Sequence, residues 1–311
     1  MFFLACALLL LGACDRTTST EGTPFDGEVA RGYVKTQLDF GARVPGTEAA
    51  RKAGDWIVAQ MRERADTVIE QKWNHVTAKG DTLPLRNIFA RFRPQATARI
   101  LYVTHWDSRP VSDQAEDPAK RSLPVPGAND GASGVALFIA LGDVLKKTPP
   151  TVGVDLLFVD GEDYGTFGPP DVDVLIGSTY FAANLPAGYQ PLFGVLFDMI
   201  GDADLQIYKE AYSMQNAPEV VTRVWQTAAD LGYGGYFLND IGDSITDDHL
   251  PLQKKGIHVI DVIDIQYGPL QSKGPLVRSS PNYHHTQQDT FDKISAKSLQ
   301  IVGDVAMTLV K

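Results

Sequence analysis

What this chain can fold into is constrained most by a set of short, β-rich apolar runs that lead into acids and histidines. Residues 99–104, 154–159, 193–197 and 257–263 are each of strand length and largely apolar at consecutive positions, not alternate ones. Runs of that kind suit strands covered on both faces. Between and around them lie stretches with a helical period. In 49–64, Ala53, Trp56, Ile57, Gln60 and Met61 share one side, and 134–146, 218–231 and 296–310 also read as helices. The alternation predicts an α/β fold with a central sheet covered by helices. No long Pro/Gly/Ser-rich linker interrupts 25–311, so one domain is expected there.

The ionisable residues fall at the ends of these runs. The first leads into His105-Trp106-Asp107, the second into Asp160-Gly161-Glu162-Asp163, the third into Asp198; Asp247-Asp248-His249 precedes the fourth. Open α/β sheets collect their sites beyond the carboxyl ends of strands. Asp, Glu and His gathered there read as a metal site, because catalytic zinc takes its protein ligands from these side chains and keeps one position open. Each residue also has a plainer explanation. Asp130, in Gly127-Ala128-Asn129-Asp130-Gly131-Ala132-Ser133-Gly134 at a helix start, could be an N-cap. Glu162-Asp163 could be a solvated turn, and Asp198 could satisfy local backbone donors. His284 or His285 alone is a weak signal.

Taken together, the segments resemble the zinc aminopeptidase superfamily. They are His105-Trp106-Asp107-Ser108, Gly127 to Asp130, Asp160 to Asp163, Phe197-Asp198-Met199-Ile200-Gly201, Asp247-Asp248-His249-Leu250-Pro251 and His284-His285-Thr286, in that family's order. The doubled Asp247-Asp248-His249, the insertion 166–174 and the later Ile176-Gly177-Ser178-Thr179-Tyr180-Phe181 resemble its glutaminyl cyclase branch, especially the bacterial members.

The resemblance implies a three-layer α/β/α domain with a mixed, mostly parallel sheet. It implies a zinc ion held by Asp130, Asp163 and His285, with Glu162 as general acid/base. Asp198 and Asp247 are expected as a hydrogen-bonded acidic pair beside a substrate α-amine, and His105 with Asp198 as a second metal site or a support for the first. The implied activity converts N-terminal glutamine of peptides to pyroglutamate with release of ammonia. The alternative is an aminopeptidase with two zinc ions, and a non-catalytic binding protein on the same fold is a third class. Two positions depart from the branch. Asp163 stands where Glu is usual, and His284 stands where a tryptophan usually walls the pocket, so either Trp106, Tyr164 or Tyr267 supplies that wall beside His284, or the pocket differs.

The amino terminus is read separately. Residues 2–11 form an apolar run of signal-peptide length, closed by Leu11-Gly12-Ala13-Cys14 and a polar stretch. This resembles a bacterial lipobox, which implies lipidation at Cys14, a tether over 15–24 and a catalytic domain over 25–311. A plain secretory signal is the alternative. The expected location is the periplasmic face of a membrane, with Asp15 leaning towards the inner one, and contact with the membrane through the lipid only. A net charge of -10 without a Lys/Arg block argues against nucleic acid as a partner. Peptide or protein N-termini are the expected partners, and a monomer is favoured.

Overall fold

The computed structural model describes residues 25–269, 274 and 279–311; the lipobox Cys14 and the tether lie outside them. At the centre is a six-stranded sheet. Four parallel strands form its core: β3 (Arg99–His105), β4 (Gly153–Val159), β5 (Phe193–Asp198) and β8 (Val259–Ile263). They are the four apolar runs of the sequence. Every residue in them is buried, which is why they carry no polar alternation.

Their alternate side chains feed two separate cores. Ile100, Tyr102, Leu156, Phe158, Val195, Phe197, Ile260 and Val262 pack with helices α1 (Gly27–Leu38), α2 (Glu48–Arg62), α3 (Ala132–Lys147), α6 (Pro218–Asp230) and α8 (Ala296–Leu309). Leu101, Val103, Leu157, Val159 and Leu196 pack instead with Phe181 of α4 (Ile176–Ala183) and Leu252 of α7 (His249–Gln253). The result is three layers, with a mixed and mostly parallel sheet in the middle. No helix among the described residues is long and apolar enough to cross a membrane.

The sequence reading passes over a hairpin. β1 (Thr67–Val76) pairs antiparallel with β2 (Thr82–Phe92), and β2 pairs antiparallel with β4 at the edge of the parallel core. β1 is an edge strand with no fully buried residue, so Glu70, Lys72 and Asn74 interrupt its apolar pattern and hide its period. A short parallel pair, β6 (Ile207–Lys209) and β7 (Phe237–Ile241), lies apart, with α5 (Ala211–Asn216) between them in sequence.

Strand order places the site. The sheet runs β1-β2-β4-β3-β5-β8, so the chain leaves β3 towards β4 on one side and leaves β5 towards β8 on the other. A crevice opens beyond the carboxyl ends of β3 and β5, where such a reversal occurs. His105 is the last residue of β3, and Asp198 is the last of β5.

Candidate active site

His105 and Asp198 meet across that crevice, His105 Nε2 lying 3.1 Å from Asp198 Oδ1 and 3.1 Å from Asp130 Oδ1. His105 is fully buried. Burial works against its charge, but Asp198, Asp107 and Asp130 outweigh it and hold the imidazole well above its ordinary range. Two glycines let the backbone close in. A Cβ on Gly131 would lie 2.7 Å from His105 Cε1, and one on Gly127, at φ +73°, would lie 2.6 Å from Arg43 Nη2.

Asp130 is not an N-cap. The cap of α3 is Gly131, and no side chain caps that helix. Asp130 is held from behind by Asp289, a residue the sequence reading missed. Its carboxylate accepts from the N–H groups of Asn129 (2.7 Å) and Asp130 (3.3 Å), while Tyr267 Oη donates to it at 2.8 Å. Burial, with the charge of Asp130 beside it, pushes Asp289 up to about 7. Asp130 Oδ2 is buried without a hydrogen-bond partner.

The acidic pair after β4 diverges as expected. Asp107 sits beneath it and accepts from the N–H of Glu162 and of Asp163, both at 3.2 Å, which fixes the turn. Asp163 turns towards His285, whose Nε2 is 3.2 Å from its Oδ1 and 3.6 Å from Asp130 Oδ2. Arg109, also absent from the sequence reading, donates to the same Asp163 Oδ1 at 2.7 Å, leaving Oδ2 buried and unpartnered. Glu162 points the other way, into a cavity of about 560 Å³. Burial pushes its carboxyl well above the usual range; Asp163, Asp247 and Asp248 add to the shift and His105 opposes it.

Asp130, Glu162, Asp198, Asp247, His284 and His285 all line this cavity. Asp198 and Asp247 face one another as charges but do not form the expected direct hydrogen bond. Asp198 Oδ1 accepts from Met199 N (2.8 Å) and lies on His105, Asp247 Oδ1 accepts from Asp248 N (2.6 Å), and Asp247 Oδ2 has no partner. Burial and then Asp198 raise Asp247 well above its ordinary value. Asp248, buried and near Asp107 and Asp198, is pushed up to about 7.

Trp106, Tyr164 and Tyr267 do not line this cavity. Trp106 lines a separate cavity between α2 and the hairpin, its Nε1 donating to Arg86 O at 3.1 Å. Tyr164 packs with Leu83, Leu85 and Ile176, and Tyr267 is buried against Asp289. The aromatic in the catalytic-side cavity is Phe167, from the insertion, with its ring centroid 6.5 Å from that of His285. Because the insertion loops back between Thr166 and Val172, no local period in the sequence foretells where Phe167 points. His284 does line the cavity, its ring 3.7 Å from that of His285. Desolvation and the neighbouring imidazole lower it to about 3. His285 adopts φ +53°, an uncommon conformation for a non-glycine residue and one that occurs at functional sites.

Donor atoms of Asp130, His284 and His285 lie within 4.8 Å of one another, as do those of His105, Asp130 and Asp198. Asp130 belongs to both groups. Fold and site together define an open α/β metalloenzyme domain with its metal-capable residues at the switch point of the sheet. The sequence profile of peptidase family M28 matches residues 87–310, and the chain belongs to that family.

Among solved structures it is similar to a Bacteroides thetaiotaomicron glutaminyl cyclase bound to N-acetylhistamine, with 33% identity, TM-score 0.86, and 92% of this chain and 97% of that one covered. Porphyromonas gingivalis glutaminyl cyclase is 38% identical, with TM-score 0.84 and coverage of 91% and 97%. A leucine aminopeptidase precursor from Bacteroides thetaiotaomicron is as close, at 33% identity and TM-score 0.85, with 92% and 97% covered. Among curated proteins, Aminopeptidase YwaD of Bacillus subtilis is 26% identical over 275 residues, 84% of this chain. The chain spans about half or less of the length of the first such relatives, 52% and 35%.

Proposed function

We propose that this protein is a zinc-dependent glutaminyl-peptide cyclotransferase, closing N-terminal glutamine to pyroglutamate and releasing ammonia. The observation that carries the reading is the acidic cavity in which Glu162, Asp198 and Asp247 face the Asp130–His285 cluster. Likeness to glutaminyl cyclases over more than nine-tenths of the chain supports it.

The residues fit a zinc ion. Asp130 Oδ2 and Asp163 Oδ2 are buried without hydrogen-bond partners, and His285 Nε2 lies 3.6 Å from the first and 3.2 Å from the other oxygen of Asp163. Asp130, Asp163 and His285 would hold it, and His284 adjoins them. Bound zinc supplies Lewis acidity towards the γ-carboxamide oxygen of the substrate. The protein does the rest. Asp198 and Asp247 hold the α-amine in line with the carbonyl carbon of the side-chain carboxamide, so part of the rate comes from orientation. As the amine nitrogen bonds to that carbon, Glu162 accepts its proton and delivers it to the departing amide nitrogen, which leaves as ammonia. Asp107 keeps Glu162 aimed by binding its backbone N–H.

A second reading has its own observation. His105, Asp130 and Asp198 form a second metal-capable group, the arrangement a two-zinc aminopeptidase would use. Purified protein incubated with Gln-initiated and Leu-initiated fluorogenic peptides separates the two. Ammonia release from the first without cleavage of the second supports the cyclase, and the reverse result establishes the peptidase. Lipid attachment at Cys14 is proposed from the sequence alone; Cys14→Ala should move the protein from the membrane fraction to the soluble one.

A further inference from the structure

Behind the cavity wall formed by residues 243–247 lies Glu210, 2% exposed and outside the cavity itself. Its carboxylate caps α5, accepting from Tyr212 N at 2.7 Å and Ser213 N at 2.6 Å. A helix cap requires no more than that. Yet Oε1 also accepts from Ile245 N at 3.0 Å, and Oε2 lies 3.4 Å from Nε2 of the fully buried His249. Ile245 and His249 stand on either side of Asp247, two residues away in each direction. One buried carboxylate therefore holds one flank of the acid that faces Asp198 by a hydrogen bond and lies against the other, where the imidazole of His249 has no hydrogen-bond partner.

We propose that Glu210, acting through Ile245 and His249, is the positioning residue for Asp247, fixing how far that carboxylate stands from Asp198 and Glu162. This rests on the assignment of Asp247 to the substrate amine made above. Asp247 Oδ1 is tied to the N–H of Asp248 in the same segment, so the carboxylate follows any shift of that backbone. Charge-assisted bonds to buried N–H groups are among the stronger restraints a side chain can supply. A misplacement of about 1 Å at an orienting group costs on the order of 100-fold in rate.

The test is a double-mutant cycle in the zinc-loaded, full-length enzyme. Glu210→Asp keeps a residue type that caps helices well but is one methylene too short to reach Ile245 and His249 together; His249→Gln removes the second arm alone. Each is expected to lower kcat by roughly 10- to 100-fold with zinc content unchanged, and to have less than about 3-fold further effect in an Asp247→Asn background. Losses that multiply with Asp247→Asn, or variants with wild-type kcat, overturn the proposal. Where turnover in that background is too slow to read, the same cycle is read in the Ki of an unreactive peptide with a free N-terminus. The cycle is run on whichever of the Gln- or Leu-initiated peptides the wild-type enzyme turns over, since both present an α-amine. Failure of the cyclase reading thus shows in the wild type, and failure of the positioning role shows in the cycle.

Discussion

Glu162 and Asp163 are neighbours in sequence with opposite duties, and the difference comes from what each side chain meets. Asp163 meets Arg109 and His285, whereas Glu162 lines a cavity and feels the charges of Asp163, Asp247 and Asp248. Glu162→Gln should therefore lower turnover by at least about 100-fold, the usual scale for losing a general base, while zinc measured by atomic absorption stays at the wild-type level. Loss of the metal instead would mean that the two roles are exchanged. Asp261, on β8, gives a pH-dependent prediction. It is fully buried, neither oxygen has a hydrogen-bond partner, and burial followed by Asp247 and Glu210 raises its pKa well above the ordinary value. A raised carboxyl stabilises the fold fully below its unfolded pKa, and that stability is lost as pH rises through the folded one. The isosteric Asp261→Asn has no such charge to bury. Its melting temperature should match wild type near pH 4 and exceed it increasingly towards pH 8, by a few degrees for each ~1.4 kcal/mol of linkage. A constant difference across that range would contradict the assignment.

At the scale of elements, the insertion between β4 and α4 is more than an excursion. His75 of β1 meets Asp173 at 2.9 Å, and Asp173 Oδ2 accepts from Ala78 N at 2.9 Å. The hairpin that the sequence reading passed over thus pins the loop that carries Phe167 to the cavity. Asp173→Ala should loosen this loop and raise KM a few-fold with kcat nearly unchanged in steady-state kinetics. The pairing of residues 98 positions apart explains why the pocket wall was illegible. Local composition favoured Trp106, beside the chemistry in sequence, but β3 turns that indole towards α2. Asp130, by contrast, was legible, since a Gly-rich stretch opening an apolar helix points to a close backbone approach whatever surrounds it.

Across the whole molecule, stability and chemistry sit at opposite ends of the sheet. Near the amino end of β4, Asp155 is fully buried and bound by Arg99 (Nε to Oδ2, 2.5 Å), Arg91 (3.0 Å) and Tyr189 (2.8 Å). Asp155→Ala strands buried guanidinium groups and should cost about 3–5 kcal/mol in urea unfolding. The kcat of the protein that remains folded should stay within about 2-fold, because the carboxyl ends of β3, β4 and β5 are unaffected. A large fall in kcat would show that the two ends are coupled.

The sequence by itself determined the layers, because strands covered on both sides must be apolar throughout, and their period survives any arrangement. It also determined the order of the site segments, because acids and histidines at strand ends are costly to bury without a partner. Only the tertiary structure decided which of them meet. His105 reaches Asp198 because β5 lies beside β3, Arg109 takes one oxygen of Asp163, and Glu210, the cap of α5, binds the backbone two residues before Asp247 from more than thirty residues earlier in the chain. These contacts depend on strand order and loop paths, which are set by the packing of the whole chain and leave no period in any one stretch of it.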